Sequence, residues 1–152
     1  MKPLSIMSLV IVALTVALAA CSAESGPDES VLTSTPGEAS DEPLVFGSGS
    51  IPATVPDGFP IPSEARVGST MVDRTRGVTE VIIVYPANIS EVVEYFETNL
   101  TAVGYTVDES SGTETRWVIE FSSDGLDGDI VIEASGGGVS QGTIRLVQPV
   151  SG

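Results

Sequence analysis

The chain has 152 residues and a formal net charge of −15, with 21 acidic side chains, 6 basic side chains and no histidine. A protein of this charge repels anionic surfaces, so we expect no nucleic-acid partner. Without histidine the chain cannot form a Ser-His-Asp triad, a Cys-His pair or a histidine metal site. Its length suits one small domain with a single core.

The N-terminal residues form an export pattern. Lys2 precedes an apolar run over residues 4–18, which is followed by two alanines and by Cys21, the only cysteine. This order is typical of a secretory signal peptide, which we place at residues 1–20. Two alternatives stay open. Cys21 could be an unmodified residue beside an ordinary cleavage site, or the apolar run could be a retained transmembrane helix near the lower length limit for a span.

The cleavage region Leu18-Ala19-Ala20-Cys21 resembles the lipobox of bacterial lipoprotein signal peptides. In that family the cysteine receives diacylglycerol and becomes the new N-terminus, and its amine often receives a further acyl chain such as palmitate. The resemblance implies lipidation of Cys21 and an extracytoplasmic protein anchored to the cell membrane, or to the outer membrane in a Gram-negative source. Two or more acyl chains make such an anchor stable.

Residues 21–55 are predicted to be the lipidated cysteine and a disordered acidic tether. The segment is rich in Ser, Thr, Gly, Pro, Asp and Glu and contains no basic residue. Such a composition buries too little apolar surface to offset its ordering entropy. A passive spacer is the preferred interpretation. The alternative is that Leu44-Val45-Phe46 is a docking segment that adds to a sheet edge.

Residues 56–149 are predicted to fold as one domain. A proline-rich lead-in at 56–62 places Phe59 and Ile61 against an edge of the core. Strands follow at 65–73 and 78–85. The second has successive apolar residues at its centre, which indicates a central strand buried on both faces.

A single helix is predicted at about residues 90–103. Ser90 is the expected N-cap, Glu91 lies in the first turn, and Gly104 is a natural left-handed residue beyond the end. Six apolar residues share one face at helical periodicity: Ile89, Val92, Val93, Phe96, Leu100 and Val103. Glu94 and Glu97 lie on the opposite side, which we interpret as a solvated face.

Four short strands are predicted after the helix, at residues 105–109, 113–121, 129–134 and 143–148. Their alternating pattern is typical of antiparallel strands with one face in water. The inward residues are Trp117, Ile119, Phe121, Ile130, Ile132, Ile144 and Leu146. The outward residues Arg116, Glu120, Glu133 and Arg145 are expected to form cross-strand ion pairs. The order ββαββββ predicts an α+β fold, an antiparallel sheet of about six strands covered on one face by the helix.

A second resemblance covers about residues 56–149. Pro60-Ile61-Pro62, the helix that begins near Glu91, and Gly104-Tyr105 after it look like small α+β domains of uncharacterised bacterial lipoproteins and secreted proteins. These motifs are structural, so the resemblance implies a fold and no activity.

Three aspartates separated by glycines are weak candidates for a metal site. Asp124, Asp127 and Asp129 could attract calcium, but the ligand spacing of an EF-hand loop is missing. Asp-Gly sequences also favour tight turns, and we prefer that interpretation. We therefore predict no metal and no cofactor.

The sequence favours a binding or interaction module over an enzyme. We expect a monomer that is held to a membrane by its lipid and meets an unidentified envelope protein or small ligand. One alternative is a structural accessory subunit of an envelope complex. Another is a hydrolase of cell-wall glycan that uses two carboxylates, which must flank a cleft at a defined separation.

Overall fold

The computed structural model describes residues 42–150, which form one antiparallel sheet and one helix. The elements are β1 (Leu44–Ser48), β2 (Arg66–Asp73), β3 (Val78–Tyr85), α1 (Ile89–Ala102), β4 (Thr106–Gly112), β5 (Arg116–Ser123), β6 (Leu126–Gly136) and β7 (Val139–Val147). The α+β class predicted from the sequence is confirmed. The strand ends differ by a few residues from prediction. Backbone pairing in the hairpins extends towards the turns, beyond the last residues of the alternating apolar pattern.

The sheet has the strand order β1-β2-β3-β7-β6-β5-β4, with every neighbouring pair antiparallel. Helix α1 carries the chain from β3 to β4 at the far edge. Strands β4 to β7 then return as a meander until β7 pairs with β3. This path places α1 against β4, β5, β6 and β7.

The described residues contain seven strands, so the prediction of about six was wrong. The additional strand is β1, in which Phe46 lies opposite Met71 of β2. The Arg74 backbone N–H donates to the Pro43 carbonyl at 2.8 Å and fixes the start of this pairing. The segment Leu44-Val45-Phe46 therefore does add to a sheet edge, that of its own domain. Residues 1–41, including the predicted signal peptide, lie outside the described part.

The loop between β1 and β2 contributes side chains to the core. Val55 and Phe59 are both 8% exposed and belong to the core. The Phe59 ring centroid lies 5.7 Å from the centroids of both Tyr105 and Phe121, and the Thr79 hydroxyl donates to that of Thr54 at 2.7 Å. The predicted packing of Phe59 is confirmed, and the folded domain begins before residue 56.

Helix α1 begins at Ile89, one residue before the predicted start, because Asn88 and not Ser90 is its N-cap. The Asn88 side chain accepts from the Glu91 backbone N–H at 3.1 Å. The Glu91 carboxylate accepts from the Asn88 backbone N–H, also at 3.1 Å. This reciprocal capping box satisfies two donors that the helix cannot pair internally. Ser90, the predicted N-cap, instead donates its hydroxyl to Asn88 Oδ1.

The helix ends as predicted in a left-handed glycine. Gly104 has φ +96°, and the Tyr105 N–H donates back to the Leu100 carbonyl at 3.0 Å. This arrangement pairs carbonyls in the last turn. Val103 is the C-cap and is 49% exposed, so its predicted place in the buried arc was wrong.

The core lies between α1 and the inner face of the sheet. The predicted inward residues of β5, β6 and β7 are buried, except that Trp117 is half-buried at one end of the cluster. On β3 the burial alternates instead of covering both faces. Val81 and Ile83 face the helix layer, whereas Ile82 and Val84 are half-buried because no second layer formed by residues 42–150 covers the outer face.

The outer face carries cross-strand ion pairs, but Glu120, which was predicted to take part, forms none within residues 42–150. Arg116 pairs with Glu133 at 3.5 Å. Arg145 lies between Glu80, at 3.8 Å, and Asp129, at 3.5 Å. Each of these groups is partly exposed, so each pair contributes less than about 1 kcal/mol.

Tyr85 places a hydroxyl group in the core. Its hydroxyl is fully buried and has no hydrogen-bond partner among the described residues. Burial raises its pKa above the usual value, and the nearby Tyr95 adds to the effect. Because an unpaired buried hydroxyl is costly, we expect Tyr85→Phe to raise the free energy of unfolding by about 1 kcal/mol. Chemical denaturation would measure this, with the partly exposed Tyr95→Phe as a control. A loss of stability in Tyr85→Phe would contradict the assignment.

Candidate functional site

The residues singled out from the sequence do not meet at one place. Cys21 lies outside the described residues. Asp124 lies in the turn before β6, whereas Asp127 and Asp129 lie on the outer face, where Asp129 pairs with Arg145. Within residues 42–150 no group of three or more His, Cys, Asp or Glu side chains is placed to hold a metal ion.

A groove lies between the first half of α1 and the β4–β5 hairpin. We call it the helix–hairpin groove. Its volume is about 540 Å³, which is within the usual range of ligand sites. It is lined by Asn88, Ile89, Ser90, Val93, Glu94, Glu97, Thr113, Glu114 and Trp117.

The apolar part of the groove is built around Trp117, the only tryptophan of the chain. Its indole N–H donates to the Ser110 hydroxyl at 2.8 Å, which fixes the ring orientation. A Cβ at Gly112, directly opposite on β4, would lie 3.0 Å from the ring and closer still to the β5 backbone. Glycine is therefore needed at this position for β4 to pass Trp117.

The polar part of the groove is acidic. Glu94 and Glu97 are exposed residues one helical turn apart on α1, so their side chains are neighbours. Glu114 lies across from them in the hairpin turn. None of the three forms an ion pair within residues 42–150, and no basic residue lines the groove.

The hairpin turn holds its side of the groove in a defined shape. The Thr113 N–H donates to the Arg116 carbonyl at 2.7 Å and closes the turn. The Thr113 hydroxyl lies 3.2 Å from that of Thr115. On the opposite side the capping box at Asn88 fixes the start of α1. Hydrogen bonds therefore hold both the hairpin turn and the start of α1 in place. Glu114 lies within the turn that the Thr113–Arg116 hydrogen bond closes.

A smaller concavity of about 250 Å³ lies on the outer face of the sheet. Its acidic residues are Asp108, Glu120, Asp127 and Asp129. Arg145 lies among them and already neutralises part of their charge. This surface has no tryptophan and, unlike the helix–hairpin groove, contains a basic side chain among its carboxylates.

Several residues of the groove were identified in the sequence, but their proximity in the fold was not predicted. Glu94 and Glu97 were interpreted as a solvated face, and Trp117 only as a core residue. Their meeting depends on β4 and β5 lying under α1, which follows from the far-edge placement of β4. The only feature of the sequence that could have indicated the groove was an exposed pair of glutamates on the helix together with a single tryptophan on a later strand.

Comparisons with protein-family models, with curated proteins and with solved structures all find no match for this chain. Within residues 42–150, α1 is too short and too polar to cross a membrane.

Proposed function

We propose that this protein is a lipid-anchored, extracytoplasmic binding module of the bacterial cell envelope and that it takes its ligand in the helix–hairpin groove. The lipobox-like segment ending at Cys21 supports the anchor. The groove supports the binding function, since it combines a half-buried tryptophan with unpaired polar groups in a cavity of ligand size. This combination is the observation that carries the proposal.

Binding is favoured over glycan hydrolysis by the exposure of the carboxylates. A glycosidase needs one carboxylic acid kept protonated near neutral pH, which proteins achieve by burial. Glu94, Glu97 and Glu114 are all exposed to solvent. They can attract and orient a ligand, but none of them is buried.

One observation favours a role as a structural accessory subunit as a second candidate. Strand β1 is a sheet edge without charged residues, and Phe46 on it is 72% exposed. Neutral edge strands are open to pairing with another chain. The opposite edge, β4, carries Asp108 and Glu109 and a register shift, features that discourage such pairing.

The anchor is tested by replacing the cysteine. We expect Cys21→Ala to abolish incorporation of a fatty-acid analogue during metabolic labelling, because no other thiol is present to accept diacylglycerol. The variant should accumulate as uncleaved precursor or appear without an anchor. Ser22→Ala is the matched control and should label normally. Equal labelling of Cys21→Ala and the wild type would show that the anchor is not at Cys21.

The groove is tested with a fragment panel containing equal numbers of cationic, neutral and anionic compounds. The full chain in neutral detergent micelles has a single indole N–H resonance, that of Trp117. We expect the fragments that bind to shift this resonance. Fragments that bind only elsewhere, with the indole signal unmoved, would contradict the proposed site.

A further inference from the structure

We infer that the helix–hairpin groove recognises a basic peptide segment and holds an arginine side chain between Trp117 and the glutamates. The inference rests on the proposed binding function and names its ligand class. It follows from the charge of the groove, from the presence of an aromatic ring beside that charge, and from the size of the cavity.

The charge of the groove is complementary to that of a cationic ligand. Glu94, Glu97 and Glu114 place three carboxylates around one cavity without a compensating cation among its lining residues. Like charges one helical turn apart repel each other. A ligand cation would relieve this repulsion, whereas an anionic ligand would increase it.

The combination of an aromatic ring with carboxylates selects the kind of cation. A guanidinium is planar, binds carboxylates through two parallel hydrogen bonds and stacks on aromatic rings. An arginine in the groove would have Trp117 and the glutamates available together. An ammonium group binds carboxylates as a point charge and gains less from this arrangement.

The volume of the groove indicates the size of the ligand. A cavity of about 540 Å³ has room for more than one side chain. The Ser90 hydroxyl lines it and, although it donates to Asn88 Oδ1, keeps an acceptor for a peptide N–H. The occupant is therefore a short peptide segment of a partner protein and not an isolated small cation.

The test uses Trp117 fluorescence of the full chain in neutral detergent micelles. The probe is the blocked peptide Ac-Gly-Arg-Gly-Arg-NH2. The matched probe replaces both arginines by citrulline, which keeps the shape and removes the charge. We expect the citrulline peptide to bind at least about tenfold more weakly, the lysine peptide to bind with intermediate affinity, and 0.5 M salt to weaken arginine-peptide binding.

Protein variants locate the effect in the groove. Glu94→Gln, Glu97→Gln and Glu114→Gln should each weaken binding about two- to fivefold, and the triple variant about tenfold or more. The matched control removes three charges elsewhere, with Glu109→Gln, Glu120→Gln and Asp124→Asn together. This control should change the affinity less than twofold, because none of its three residues lines the groove.

Several results would overturn the inference. These are equal binding of the citrulline and arginine peptides, an equal effect of the two triple variants, or tighter binding of spermidine than of the arginine peptide. If neutral fragments shift Trp117 while the arginine peptide does not bind, the binding function stands and the ligand class is wrong. If neither binds in the groove, both proposals fall. Circular dichroism of each variant confirms that the fold is retained.

Discussion

Phe96→Ala is expected to lower the free energy of unfolding by about 3–5 kcal/mol. Phe96 is fully buried at the centre of the inner face of α1. Its ring centroid lies 5.9 Å from that of Tyr85 and 5.4 Å from that of Tyr95, both in edge-to-face geometry. Truncation would leave a cavity in the only core of the described domain. Such a loss is a large share of the total stability of a small domain.

Glu94→Ala is the matched control on the opposite side of the same helix. Glu94 is exposed and makes no ion pair within the described residues, so the change should cost less than about 0.5 kcal/mol. Denaturant titration of both variants gives the comparison. A larger loss for Glu94→Ala than for Phe96→Ala would mean that the helix packs through its acidic face.

Gly142→Ala is expected to destabilise the domain by about 1–3 kcal/mol. A Cβ at Gly142 on β7 would lie 2.7 Å from Cε2 and 3.1 Å from the hydroxyl of Tyr85. The ring of Tyr85 is enclosed in the core and has little room to move. In a strand without this contact, alanine would be preferred over glycine by roughly 0.5–1 kcal/mol. The expected sign is therefore opposite to that of strand propensity.

A double-mutant cycle identifies the cause. In a Tyr85→Leu background the nearest obstacle to a Cβ at Gly142 is removed, so Gly142→Ala should cost less than half as much as in the wild type. The interaction energy should lie in the range of about 0.5–3 kcal/mol that contacting residues show. An equal cost in both backgrounds would place the strain somewhere other than at the Tyr85 ring.

The periodic parts of the sequence were sufficient to predict most of the fold. The helix and the strands after it have alternating or helical patterns that bury one face, and Ile130 and Phe96 lie where those patterns place them. The edge strand β1 was not predicted as a strand of the domain because Leu44, Val45 and Phe46 form only a short apolar group in a mainly polar, acidic segment. Its stability comes from backbone pairing with β2, which a local pattern does not contain.

The candidate site was less accessible from the sequence than the fold. The groove forms because α1 packs against the β4–β5 hairpin that directly follows it in the chain, and the pattern specifies only that each element has an inner face. The capping residue shows the same limit on a smaller scale. Asn88 and Ser90 are both good N-caps, and the Glu91 carboxylate three residues beyond Asn88 decides between them.

Site-specific photo-cross-linking in cells tests the central claim, that the helix–hairpin groove is the binding site, most directly. A photoreactive phenylalanine analogue would replace Thr113 in the groove, Gln141 on the outer face or Phe46 on the β1 edge of the full, lipidated chain. All three positions are exposed. After irradiation, mass spectrometry should detect an adduct from the Thr113 position and none from Gln141 or Phe46. Adducts from Gln141 or Phe46, with none from Thr113, would contradict the groove as the binding site.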